Sequence, residues 1–429
     1  MFNTENLEKK WEAVLEHADC APIKDRYKKA VVARLLENQE QAQIEERAAS
    51  AGFIAEDSTT TANVQNFDPV LISLVRRAMP NIIAYDIAGV QPMTGPTGLI
   101  FAMKSLYKAP GVGVSDEEAL FDEPDTAFAT NGTDTYGLET SDAEALSGGR
   151  QTAGDSGFGE MGFEIVKTSV EARTRALRAT YTMEMAQDLK KVHGLDAESE
   201  LANILSTEIL AEINREIING VNTAAKNGGY QSSFGTGTGA FDLSTNSDGR
   251  WSVEKYKGLI FQLEKDANQI ALETRRGKGN WVIVSSNVAS AIAAAGMLDY
   301  TPALQADMEV DATGNLFAGT LNGRMKVYVD PYASADYATV GYRGTNPYDA
   351  GVFYCPYVPL TMMRAVGEDD FQPRIGFKTR YGMRANPFVD ATFGVNPSTS
   401  IESQFGGADA NQYFRTFTVS NLSVDSAAS

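Results

Sequence analysis

Two histidines, two cysteines and a few glycine- and arginine-rich turns are the parts of this chain equipped for chemistry, and their spacing does not assemble them. A nucleophilic site needs a serine or cysteine with a base in reach. Neither His17 nor His193 has a Gly-x-Ser-x-Gly turn nearby, and Cys355 runs straight into Pro356 in a strand-like stretch without a histidine beside it. Cys355 therefore reads as a buried structural thiol. Gly235-Thr236-Gly237-Thr238-Gly239 imitates a phosphate-cradling loop, but such a loop works by opening a helix and carries Gly-Lys-Ser/Thr. Here Phe241-Asp242-Leu243-Ser244 follows instead. The basic turn Arg275-Arg276-Gly277-Lys278 fits a solvated face or a subunit contact better than a nucleic-acid site. Carboxylates crowd residues 115–160, yet the Asp-x-Asp-x-Asp-Gly spacing of a calcium loop is missing, as is any zinc constellation. These patterns count against an enzyme and require neither metal nor cofactor.

The bulk numbers point the same way. A chain of 429 residues, 43% hydrophobic and 22% charged, is an ordinary globular composition with room for two or three domains. It has no run of eighteen apolar residues and a charged N-terminus, which argues against a membrane span and a secretory leader. With only Cys20 and Cys355 there is no disulfide framework. A net charge of −19 disfavours duplex-DNA binding by charge neutralisation, although acidic inner walls would suit a container for DNA.

Residues 1–56 differ in kind from the rest, with 8 basic and 11 acidic side chains. Leu7, Trp11, Val14 and Leu15 share one helical face, and Ile23, Tyr27, Val31 and Leu35 a second. Glu37 to Arg47 is polar nearly all round and reads as a solvated helix. The segment ends at Ile54-Ala55-Glu56, before Asp57 and a run of serine and threonine. Asp68-Pro69 starts a further helix carrying Val70, Leu71, Leu74, Val75 and Ala78. Turns at 91–98 lead into a strand from Leu99 to Tyr107. The acidic stretch 110–160 reads as a long solvated loop. In the returning strand, Val166, Thr168, Val170, Ala172 and Thr174 alternate with Lys167, Ser169, Glu171, Arg173 and Arg175, which predicts one buried and one polar face. Arg173, Arg175 and Arg178 form a local basic surface, expected to meet an acidic surface of another subunit.

Thr182 is placed to cap a helix ending at His193-Gly194, and Asp196 to cap the next. That helix, predicted over about 196–219, carries Leu201, Ile204, Leu205, Ile209, Ile213 and Ile217 at three- and four-residue steps. A helix from Val253 to about Leu272, a buried strand at Trp281–Val284, an alanine-rich helix at Asn287–Ala295 and strands near 325–330, 337–342 and 351–364 follow. Phe371–Arg384 is extended, and Tyr413–Leu422 is a final strand.

The run Val-Gln-Asn-Phe-Asp-Pro-Val-Leu-Ile-Ser-Leu-Val-Arg-Arg-Ala-Met-Pro-Asn from Val64, continued by Ile82-Ile83-Ala84-Tyr85-Asp86-Ile87-Ala88-Gly89-Val90-Gln91-Pro92, resembles the major capsid (head) protein of T-even-type tailed bacteriophages, of the myovirus and cyanophage kind. The resemblance continues through 163–220 and 361–388 and fades in 110–160. It implies an α+β, Hong Kong 97-like phage capsid fold. The implied parts are a propeptide at 1–56, an N-arm at 57–98 and an E-loop at 99–177 with its acidic insertion. A P domain at 178–250 holds the long spine helix, an A domain spans 251–360, and 361–429 returns to the P domain. The implied function is self-assembly into hexamers and an icosahedral head that encloses DNA. Family proteins are cut after Ile/Leu-x-Glu, a pattern that Ile54-Ala55-Glu56 fits at a composition boundary; Leu35-Leu36-Glu37, Ile44-Glu45-Glu46 and Leu210-Ala211-Glu212 fit it as well. Implied partners are scaffold, prohead protease, vertex, portal and decoration proteins and a folding chaperonin, in the virion and, before assembly, the host cytoplasm. A pentameric vertex protein of the same family and a nanocompartment shell are the alternatives.

Overall fold

The computed structural model describes residues 4–16, 23, 25–51, 79–108, 119–120, 124–126, 128–130, 137–144, 158–233, 236–247, 249, 251–296, 298–299, 316–346, 348–367, 372–389, 405 and 407–422. In chain order, α1 (Thr4–Leu15) and α2 (Arg26–Ala51) precede a 3-10 turn (Met79–Asn81), α3 (Ala84–Ile87) and β1 (Gly89–Val90). Then come β2 (Thr97–Lys108), α4 (Thr140–Glu144), β3 (Glu160–Glu171), β4 (Arg173–Thr180), α5 (Met183–Val192) and α6 (Ala197–Ala224). The short strands β5 (Ala225–Asn227), β6 (Gln231–Ser233), β7 (Thr236–Gly237) and β8 (Ala240–Asp242) lead to α7 (Ser252–Thr274), β9 (Trp281–Ser285) and α8 (Ser286–Ala294). The remainder is strand: β10 (Leu298–Asp299), β11 (Leu316–Leu321), β12 (Met325–Asp330), β13 (Tyr337–Gly341), β14 (Val352–Val366), β15 (Pro373–Ala385) and β16 (Asn411–Ser420).

The long helix α6 follows from its apolar spacing. Leu205, Ile209, Ile213 and Ile217 are buried, Leu201 packs half-buried at the edge of the same cluster, and Ile204 turns out to solvent. The helix continues past Asn219-Gly220 because Gly220 serves packing and not termination: a Cβ there would meet the Phe405 ring at 2.4 Å. Thr182 caps α5 by accepting from Met185 N at 3.3 Å, and Gly194 takes φ +70° after it. Asp196 occupies the start of α6 without a side-chain capping bond. Its charge still favours the positive end of the helix.

Two sheets organise the body. A four-stranded sheet runs β1-β14-β15-β4, and an eight-stranded one runs β10-β11-β12-β9-β13-β16-β5 with β8 also on β16. Every residue of β9 is buried, as a strand flanked on both sides requires. The second sheet draws β5, β8 and β16 from outside 251–360, so a division at residues 251 and 361 cuts across its hydrogen bonds. Spine and sheet are tied at Asp330, 1% exposed, which accepts from Arg215 Nη1 at 2.6 Å and from the Tyr337 hydroxyl at 2.7 Å.

Candidate assembly surface

Among the described residues, strands β2 and β3 pair only with each other, in unbroken antiparallel register from Thr97↔Glu171 to Lys108↔Glu160. Twelve residues at about 3.4 Å each make a ribbon ~40 Å long. Opposite residues share a face, so Leu99, Phe101, Met103, Met161, Phe163 and Ile165 all project from one side. Each is more than half exposed, Phe163 at 77% and Ile165 at 68%. The other face is anchored at the root, where Ile100 and Val170 pack with Met93, Phe353 and Cys355. An isolated two-stranded ribbon is marginal in water, and a contiguous apolar face of this size marks a contact with another protein.

Between β3 and β4 the alternation changes phase. Val166, Thr168, Val170 and Ala172 face inward, but after Ala172 it is Arg175, Leu177 and Ala179 that do. The chain leaves the ribbon here and joins β15, with Arg175 opposite Thr379. A slip of one residue exchanges the faces of a strand. Arg175 is accordingly not on the outward basic surface expected of it. Its guanidinium reaches Glu212 Oε2 at 2.7 Å, Glu216 Oε2 at 2.6 Å and the Tyr381 hydroxyl at 2.9 Å. Burial, then the Glu216 carboxylate, pushes the Tyr381 hydroxyl above its ordinary range. This cluster fastens the spine to the four-stranded sheet. Arg173 and Arg178 remain exposed.

The N-terminal helices are part of the body. Trp11, Leu15, Val31, Val32, Leu35 and Leu36 are buried in one cluster with Ile82, Ile83, Tyr85, Val90, Tyr354 and Leu360. Contrary to the expectation of a solvated helix beyond Glu37, Asn38 and Gln39 are 4% and 3% exposed, because α2 lies along β14. Lys10 pairs with Glu37 at 2.8 Å and also with Glu40. Burial alone would raise the Glu37 carboxyl, but bonds from Lys10 and Trp11 hold it below its usual value. Polar residues inside a helix gave no periodic signal by which this docking was foreseeable. Ile54, Ala55, Glu56 and Asp57 lie outside the described residues, as do His17, Cys20, the helix expected from Asp68 and most of the acidic loop. Of the competing cleavage motifs, Leu35 and Leu36 are buried in α2 and Glu37 is paired with Lys10, while Leu210 is buried and Glu212 is engaged by Arg175.

Among the described residues the chemically equipped ones stay apart. His193 is exposed at the end of α5. Cys355 is enclosed, and burial pushes its thiol up to about 12. Thr236–Gly237 is a strand of a small hairpin and no helix follows it directly. Arg275 forms the left-handed end of α7 at φ +54°. Among the described residues no group of three or more His, Cys, Asp or Glu is placed to hold a metal, and no helix is long and apolar enough to cross a membrane.

A body with buried sheets, joined to a long ribbon that displays apolar side chains, defines a subunit made for joining others. The family model for the major capsid protein Gp23 matches residues 64–419. The major capsid protein of Serratia phage KSP90 is 39% identical over 98% of this chain and 98% of its own length. That of Enterobacteria phage T4 is 34% identical over 96% and 98%. The T4 capsid vertex protein is 28% identical over 58% of each chain. Among solved structures, the capsid of Myoviridae phage XM1 aligns over 85% of this chain and 96% of its own at 12% identity, with a TM-score of 0.40, too low to add to the assignment. The chain belongs to the Gp23 major capsid protein family. It is a structural subunit of a tailed-phage head shell, α+β in fold class, and a component of the virion and not an enzyme.

Proposed function

We infer that copies of this chain assemble as hexamers into an icosahedral head enclosing DNA, with the apolar face of the β2–β3 ribbon covered by a neighbouring copy. The observation that carries this reading is the row Leu99, Phe101, Met103, Met161, Phe163 and Ile165, exposed on one face of a ribbon whose other face packs on the body at its root. Rotational rings bring different faces of one chain together, so the ribbon has to meet a surface other than itself. Arg173 and Arg178 add inter-subunit ion pairs in this reading, each worth little alone. Residues 57–98 act as N-arm and 99–177 as E-loop. Residues 178–250 and 361–429 form the peripheral part and 251–360 the axial part, which borrows β5, β8 and β16. Many weak contacts then sum to a durable shell.

The proposed processing is removal of residues 1–56 by a prohead protease cutting after Glu56. It is supported by the burial of Leu35-Leu36 and Leu210, since proteases need an extended chain. Scaffold, vertex, portal and decoration proteins and a folding chaperonin are the further partners. The double variant Phe163→Ser, Ile165→Ser tests the main claim in sedimentation and negative-stain microscopy. A folded chain that no longer forms capsomers is expected; normal shells would refute the ribbon's role. Mass spectrometry of purified heads tests the processing, with Asp57 expected as first residue and Met1 as the contrary result.

A further inference from the structure

Asn38 sits at a place in the four-stranded sheet where the backbone runs out of partners. β1 pairs in parallel with β14 through Gly89↔Phe353 and Val90↔Tyr354, and the pairing continues as Gln91 N donates to Tyr354 O and Met93 N to Pro356 O. There β14 shifts register against β15 between Pro356 and Val358, skipping Tyr357. The Asn38 amide enters from α2 and donates to Met93 O at 2.8 Å and to Tyr357 O at 3.0 Å. A second tie lies nearby, where the Tyr27 hydroxyl donates to Val90 O. Buried carbonyls seldom go unpaired, so these bonds fix the main chain at 90–93 wherever α2 is docked.

Met93 is also the root of the ribbon. Its side chain lies against Gly98, where a Cβ would come within 2.9 Å of the Met93 sulfur, and it packs with Ile100, Val170, Phe353 and Cys355. A cavity of about 260 Å³ opens among Gln91, Met93, Gly98, Ile100, Val170 and Cys355, and Gln91 Oε1 is buried nearby without a partner among the described residues. Close-packed interiors resist movement, and this one has room for it. The same root carries both the tie to α2 and the slack.

We propose that α2, through Asn38, holds the β2–β3 ribbon at its angle to the body, so that undocking of the N-terminal helices frees the ribbon to swing on its root. The N-terminal segment thereby controls how the assembly face is presented. This coupling holds whether or not the chain is cut, and its test leaves the cleavage site untouched.

The test is hydrogen exchange by mass spectrometry on the full chain and on Asn38→Leu, which keeps the branched side-chain skeleton and removes both N–H donors. Amides at Met93–Ile100 and Ser169–Ala172 are expected to exchange roughly tenfold faster, while α2 from Arg26 to Glu37 keeps its protection. Unchanged exchange at the root with α2 folded, or a change confined to α2, overturns the proposal. Should Asn38→Leu fail to fold, Tyr27→Phe decides by the same criteria, with about a threefold increase at the root expected and none overturning it.

Discussion

The eight-stranded sheet and the two-stranded ribbon are both rich in apolar side chains, and they use them in opposite ways. In the sheet, β9 lies between β12 and β13 with all five residues buried; α7 and α8 cover one face with Leu259, Leu263, Val288 and Ile292, and Trp281 and Ile283 on the other join the cluster of α6. That region satisfies itself within one chain. Among the described residues each ribbon strand pairs with one other strand, and six large apolar residues on one face meet solvent. Its hydrophobicity is an unpaired half of a contact. Stability therefore belongs to the body and association to the ribbon, and substitutions in the two regions should separate these properties.

The largest effect is expected from Ile213→Asp. Ile213 is 1% exposed in the spine, and an unpaired charge there should cost ~4 kcal/mol or more, enough to remove soluble folded chain. Soluble yield and thermal unfolding check it, and a normal melt would break the assignment of stability to the body.

A pH response should come next. Asp266 is fully buried on α7, accepting from Gly229 N at 3.0 Å and Gln262 Nε2 at 2.9 Å. Burial pushes its carboxyl up from 3.8 to about 6, against the pull of the Gly229 N–H and of Arg415. A carboxyl raised on folding binds more protons in the folded than in the unfolded chain between those two values. Its effect on stability is thus most favourable below about 4 and is lost as pH rises through about 6. Asp266→Asn should flatten that part of the stability curve by ~2–3 kcal/mol in denaturant titrations from acid to neutral pH. An unchanged slope would remove Asp266 from the account.

Arg175→Leu should lower stability by ~1–2 kcal/mol, because Glu212 and Glu216 then share one site with only Tyr381 to bond. Chemical unfolding measures it. Loss of assembly at unchanged stability would instead return Arg175 to the subunit interface. The smallest effect on the isolated fold is expected from Met103→Ser, within ~0.5 kcal/mol by the same assay, since Met103 is 63% exposed. Its influence should fall on the concentration needed for assembly, read by sedimentation.

Legibility in the sequence followed the range of the signal. Leu205, Ile209, Ile213 and Ile217 announced the spine because helical spacing is written within a few residues, and the same holds for Thr182 and Gly194 around α5. Arg175 was assigned to the wrong face because period two was carried through Ala172, where the strand changes partners. Ile204 has the spacing of the apolar stripe and points to solvent. The burial of Asn38 is not written locally, since its side chain goes inside to meet the distant carbonyls of Met93 and Tyr357.

By itself the chain determined its helices, its apolar strands and, through the run from Val64, its family. Those properties rest on residue type and local spacing. Tertiary structure alone decided that the C-terminal strand β16 completes the sheet of β9, that α2 lies on β14, and that the ribbon leaves one apolar face bare. Each of these depends on which groups meet far apart along the chain, and burial is a property of that meeting, not of the residue.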